Sequence, residues 1–132
     1  MIFVDSNIPM YLVGADGPLK DLTRRLLERA VIDGESLVTD AEVFQEILRR
    51  YTTIDRRDAI GPAFDILREV VDTVHPIEFA DVARSRRIVA STPRLSERGA
   101  LHIAVMQARD IVRIMSFDTG FDLASGIERV HA

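Results

Sequence analysis

The first seven residues, Met1-Ile2-Phe3-Val4-Asp5-Ser6-Asn7, decide how the rest of the chain is read. Ile2, Phe3 and Val4 form a β-branched and aromatic run, too short for a helix and bounded at once by turn formers, which is the mark of a buried strand. Asp5 then stands at the carboxyl end of that strand, followed by two more oxygen-bearing side chains. A single aspartate in such a place is ordinarily an N-cap or a turn residue. Its meaning depends on whether other parts of the chain deliver carboxylates to the same rim.

Further along, Ser36-Leu37-Val38 reads as a second short strand and 74–77 as a minor one. Ile111 to Phe117 is the other strongly apolar run, and it too stops on an aspartate, Asp118. Residues 127–130 supply a final edge strand. Between these lie helical patterns. Pro18 opens one and Asp33-Gly34 closes it. Thr39-Asp40-Ala41-Glu42 matches a capping box and opens a helix carrying Val43, Phe44, Ile47, Leu48 and Tyr51. Residues 55–74 are helical with a bend at Gly61-Pro62, 79–90 are helical again, and Ser96 caps a helix through Leu101, Ile103, Ala104 and Ala108. Alternation of this kind predicts an α/β protein, a parallel sheet of four to five strands sandwiched by helices, in one domain over residues 1–132. In such sheets ligands bind outside the carboxyl ends of the strands, where Asp5 and Asp118 both fall.

Composition narrows the chemistry. Hydrophobic residues make up 47% of the chain, against disorder, yet no apolar run approaches the roughly 20 residues of a membrane span. There is no cysteine, which excludes thiolate metal sites and thiol nucleophiles. No charged region followed by an apolar one marks a secretory signal, so the expected location is cytoplasmic, away from membranes. The formal net charge is −4, but sixteen of the seventeen basic residues are arginine, whose planar fork suits phosphate oxygens. Over 84–98, Arg84, Arg86, Arg87, Arg94 and Arg98 face only Glu97 as an acid, making that stretch a candidate contact for a phosphate backbone.

The helix after the second strand adds Glu42 and Glu46, spaced i,i+4 and so on one face. Glu42 has a local task in the capping box, reaching back toward Thr39. Glu46 has none, and is the better candidate for the rim. Clustered carboxylates raise each other's pKa, so a stable cluster needs a cation, and hard oxygen donors without cysteine favour Mg²⁺ or Mn²⁺ over zinc. His75, His102 and His131 are far apart and show no ligand spacing, so packing or surface roles are expected for them. A carboxylate-held divalent ion serves to activate water and to neutralise a phosphoryl group.

Four stretches in order, MIFVDSN, VTDAEVFQEILRRY, LSERGALHIAVM and MSFDTGFD, resemble the motifs of the PIN-domain family, in particular its VapC-type toxins of bacterial toxin–antitoxin pairs. The resemblance spans nearly the whole chain. It implies a Mg²⁺- or Mn²⁺-dependent endoribonuclease that acts on RNA, forms a homodimer and is neutralised by a cognate VapB-type antitoxin. Residue by residue, it makes Asp5 the first acid, with Asn7 and Ser6 in support, Glu46 the second and Asp118 the last, with Asp122 as a supplementary ligand. The third motif departs from the pattern, because Gly99 stands where the family usually has an acid. The alternative is therefore a catalytically impaired module that binds RNA or an antitoxin. A phosphoryl-acceptor domain also gathers acids at strand ends, but it wants a second acid beside the first and a late lysine. Here Ser6 and Asn7 follow Asp5, and the only lysine, Lys20, lies in an early helix.

Overall fold

The computed structural model describes residues 1–131. Its five strands are β1 (Ile2–Val4), β2 (Leu37–Asp40), β3 (Thr73–His75), β4 (Arg113–Met115) and β5 (Glu128–Val130). They form one sheet in the order β3-β2-β1-β4-β5, with every neighbouring pair parallel. Six helices connect or flank them: α1 (Asn7–Val13), α2 (Pro18–Ile32), α3 (Ala41–Thr53), α4 (Ile60–Val70), α5 (Phe79–Ser91) and α6 (Glu97–Ala108). Short 3₁₀ segments lie at Arg57–Ala59 and Thr119–Leu123. The architecture is the expected α/β sandwich.

A parallel strand covered on both faces needs apolar residues throughout rather than in alternation. β1 meets this requirement with Ile2, Phe3 and Val4 all buried, and it occupies the centre of the sheet. Phe3 pairs with Val38 on one side and with Ile114 on the other. Ile8 of α1, Ile47 of α3, Leu67 of α4, and Ile103 and Met106 of α6 close the core around it. The chain runs outward from β1 to β2 and β3, then returns across β1 to start β4. The sheet order therefore reverses between β1 and β4, the kind of place where a crevice opens at the carboxyl ends of strands.

Three expectations are corrected. Thr39 does not cap α3. β2 runs on through Asp40, which pairs with His75 of β3, so Thr39 lies inside the strand and its hydroxyl donates to the Val4 carbonyl at 2.8 Å. Asp40 is the cap instead, its Oδ1 accepting from the Val43 amide at 2.9 Å, and Glu42 has no capping partner. Gly61-Pro62 lies in the first turn of α4 and bends nothing, because a proline there forfeits no helical hydrogen bond. Finally the helix expected over 55–74 is shorter, because α4 ends at Val70 and β3 begins at Thr73, while α1, seven residues long and containing Pro9, has no counterpart in the sequence reading. The ends of α2 and α6 behave as expected. Gly34, at φ 70°, takes up the left-handed conformation that stops α2. Ser96 caps α6 by accepting from the Gly99 amide at 3.0 Å. Ser96→Ala should lower the unfolding free energy by about 1 kcal/mol, read from the shift in urea midpoint at unchanged slope.

Candidate active site

Where β1 and β4 end side by side, a cleft of about 260 Å³ opens, lined by Asp5, Asn7, Glu46, Gly99, His102 and Asp118 among others. The two strand ends are tied by a small polar network. The Asp5 amide continues the ladder by donating to the Met115 carbonyl at 3.1 Å. Asp5 Oδ1 accepts from the Ser6 amide at 2.7 Å, and Oδ2 accepts from the Ser116 hydroxyl at 2.6 Å. The same Ser116 oxygen accepts from Asn7 Nδ2 at 3.1 Å and from the Asp118 amide at 3.0 Å. Asn7 Nδ2 also reaches Asp5 Oδ2 at 3.4 Å. The Ser6 amide, the Asn7 side chain and the Ser116 hydroxyl thus all hydrogen-bond to Asp5.

Glu46 enters from α3 and is held by a residue assigned to no site. His102, fully buried on α6, places Nε2 2.6 Å from Glu46 Oε1 and Nδ1 2.7 Å from Asp40 Oδ2. Neutral imidazole has a single N–H, and both contacts here are to carboxylates, an arrangement that favours the doubly protonated imidazolium. Burial alone would lower its pKa, but the charge and hydrogen bonds of Asp40, and then those of Glu46, hold it well above the ordinary 6.5. Burial likewise pushes Glu46 up, and the hydrogen bond and charge of His102 outweigh this to keep its carboxyl below its usual value. Asp40, the cap of α3, therefore also fixes the ring that fixes Glu46.

The expectation of a packing or surface role for His102 is overturned. Its contacts lie 56 and 62 residues away in sequence, beyond any local spacing. One signal was present: His102 follows Gly99 by three positions and so shares the helix face that the third motif presents to the cleft. His75 and His131 do not line the cleft.

Asp5 offers the clearest electrostatic observation. Burial raises its pKa by more than the His102 charge and the Ser116 hydrogen bond lower it, and Glu46 adds repulsion. A divalent cation beside Asp5 would offset this penalty. Asp5, Glu46 and His102 each present a ligand-type atom within 4.8 Å of the others, a span that one ion fits. With both ring nitrogens of His102 already engaged by Asp40 and Glu46, the available donors are the hard oxygens of Asp5 and Glu46. Asp118 lines the cleft too, exposed, with Oδ1 accepting from the Gly120 amide at 2.8 Å. Asp122 does not reach the cleft. Arg129 grips both of its oxygens, at 2.9 and 3.0 Å, and also donates to the Ser116 carbonyl at 3.2 Å. Asp122 therefore fastens β5 to the end of β4.

Gly99 faces the cleft, in the first turn of α6. A Cβ built there would lie 2.9 Å from Leu95 Cδ1 and 3.2 Å from Ser96 Oγ. Any larger residue requires the Leu95 side chain to move. Of the five arginines over 84–98, Arg98 alone lines the cleft, while Arg84, Arg86 and Arg87 border shallow hollows on α5.

The PIN-domain family model matches residues 2–127, nearly the whole chain. The chain belongs to the PIN-domain family. Its relatives are of the VapC type: ribonuclease VapC13 of Mycobacterium tuberculosis is 59% identical over 130 residues, 98% of this chain and 99% of that protein. Two solved structures share the fold. VapC20 of M. tuberculosis, described as a Sarcin-Ricin loop cleaving toxin, superposes with a TM-score of 0.80 over the whole of both chains at 22% identity. VapBC2 of Rickettsia felis, bound to a DNA fragment from its promoter, gives 0.75 over 98% of each chain at 11% identity.

Proposed function

We propose that this chain is an endoribonuclease dependent on Mg²⁺ or Mn²⁺, the toxin of a VapBC-type pair, hydrolysing RNA phosphodiesters. The observation that carries the reading is the convergence of Asp5 and Glu46 in one cleft, beside a buried imidazolium, in a chain 59% identical to a ribonuclease. Asp5 and Glu46 would hold the ion, with Asp118 reaching it directly or through water. When bound, the ion supplies an activated water and neutralises charge on the phosphoryl group. The protein's own part is orientation. Ser6, Asn7 and Ser116 set the Asp5 carboxylate, and His102 keeps Glu46 ionised and aimed.

One observation favours a second reading, an impaired module that binds RNA or an antitoxin: Gly99 contributes no oxygen to the cleft. Comparison of this chain with Gly99→Asp on a mixed RNA pool, in Mg²⁺ and in EDTA, separates the two. Robust Mg²⁺-dependent cleavage by the unsubstituted chain excludes the impaired module. Mg²⁺ commonly retains several waters, so a missing ligand weakens binding rather than forbidding it. Gly99→Asp should raise cleavage well above that of this chain and enlarge the thermal shift in millimolar Mg²⁺. Its metal-free stability should fall slightly, because the new carboxylate joins a repelling cluster and displaces Leu95. If neither cleavage nor the metal-dependent shift changes, position 99 lies outside the site.

The partners in this reading are an RNA substrate, a VapB-type antitoxin and a second copy of the chain. Phe44 and Phe64 pack edge to face at 4.9 Å in an open apolar groove with Ala41, Val74 and Arg68, and Phe79, Val31 and Ile32 are exposed. Such surfaces suit a docked helix or a dimer contact. Light scattering that finds only monomer, alone and with the antitoxin, would sink this part. Among the described residues no helix is long and apolar enough to cross a membrane, and the proposed location is cytoplasmic.

A further inference from the structure

Two arginines line the cleft, and neither has a partner at hydrogen-bonding or ion-pairing distance among the described residues. Arg50 lies one helical turn beyond Glu46 on α3, and Arg98 lies beside Gly99 in the first turn of α6. Their isolation needs explaining, because carboxylates are close by. These acids are held by other partners. Glu46 gives Oε1 to His102, Asp5 accepts from Ser6, Ser116 and Asn7, and Asp118 gives Oδ1 to the Gly120 amide.

Local helix energetics do not favour Arg98 either. A cation in the first turn opposes the helix dipole, whose positive end lies there. It acts on the carboxylates of Glu42 and Glu46 only through space, lowering both. Arg50 is exposed and Arg98 half-buried, so both forks can reach a ligand in the cleft.

We propose that Arg50 and Arg98 are substrate-positioning residues that hold RNA phosphates on either side of the scissile bond, and that they do so without the metal ion. This inference rests on the ribonuclease reading above. A guanidinium fork matches two phosphate oxygens, which a solvated ammonium does not, so lysine should replace either residue poorly. The arginines of α5 play no part in this hold.

The test uses the full chain and a labelled single-stranded 12-nucleotide RNA pool in EDTA, where cleavage does not interfere. Arg50→Gln and Arg98→Gln should each weaken binding by about five- to tenfold and reduce the slope of log affinity against log salt by about 0.7 per lost phosphate contact. Arg50→Lys and Arg98→Lys should recover the slope but only part of the affinity. In Mg²⁺ or Mn²⁺ the glutamine variants should raise KM by more than they lower kcat. Arg87→Gln, on α5, should leave affinity and KM unchanged, and melting curves of all variants should overlay. If the chain cleaves RNA while Arg50→Gln and Arg98→Gln bind and cleave as it does, the inference is wrong and the ribonuclease reading stands. If Arg87→Gln weakens binding as much as they do, a diffuse basic field replaces the two-residue hold. If the unsubstituted chain neither binds nor cleaves RNA, both readings fall together.

Discussion

Asp5→Asn should abolish metal-dependent RNA cleavage, lowering kcat/KM by at least about a thousandfold, since the several kcal/mol that a bound ion supplies to the transition state would be lost with its central ligand. The shape of the side chain survives. Its amide oxygen can still accept from Ser6, while its amide nitrogen meets a Ser116 oxygen that already accepts from Asn7 and Asp118. One hydrogen bond is lost there, and against it the penalty of a buried, up-shifted acid disappears. Metal-free stability should therefore change by less than about 1 kcal/mol. The thermal shift produced by Mg²⁺ or Mn²⁺ should vanish. A variant that melts like the parent, keeps its metal shift and still cleaves would remove Asp5 from the ion's ligands.

His102→Leu should have the largest effect on folding. Removing one partner of a buried charge cluster leaves uncompensated carboxylates, at a cost of roughly 3–5 kcal/mol. That is a large share of the roughly 5–15 kcal/mol by which domains are ordinarily stable. Asp40 would keep its cap to Val43 but lose its countercharge, and Glu46 would lose its orientation. The pH dependence follows from the direction of the shift. A histidine whose pKa is raised on folding contributes fully below the unfolded value, near 6.5, and the contribution drains away as pH rises through the higher folded value. Chemical denaturation of the parent in the absence of metal should therefore show a stability component lost on the alkaline side, absent in His102→Leu. His102→Gln, which keeps one donor, should fall between. Equal stability of parent and His102→Leu across this range would rule out the buried imidazolium.

Much of this site was legible because two short, strongly apolar runs, Ile2–Val4 and Ile111–Phe117, are each followed by an aspartate. Strand-end geometry then placed Asp5 and Asp118 on the same rim. Glu46 was separable from Glu42 by its lack of a local task, although the task given to Glu42 was wrong: ladder pairing between Asp40 and His75 extended β2 past Thr39 and moved the cap by one residue. The resemblance to the PIN family supplied the order of the motifs and the meaning of Gly99. What stayed hidden was long-range. Nothing near His102 in sequence announces Asp40 or Glu46; Arg129 follows Asp122 by only seven residues, but no regular helix or strand spacing pairs them, and it diverts Asp122 from the cleft. Likewise the basic stretch 84–98 was readable as charge, but only the cleft that α3 and α6 both line brings Arg50 and Arg98 to one place.

The sheet order has a consequence for how the protein is made. β1 leaves the ribosome before the other four strands and lies at the centre, yet one of its two neighbours, β4, follows only after β2 and β3, together with Ser116 and Asp118. Until β4 docks, β1 has an open edge, and Asp5 lacks the hydroxyl that orients it. Closing so long a loop is an entropic cost met late, after β2, β3 and their helices have provided a surface on which β4 can settle. An incomplete nascent chain would therefore carry Asp5 and Glu46 without an assembled cleft. For a protein proposed to cut RNA inside its own cell, translation itself would keep the blade sheathed until β4 has emerged.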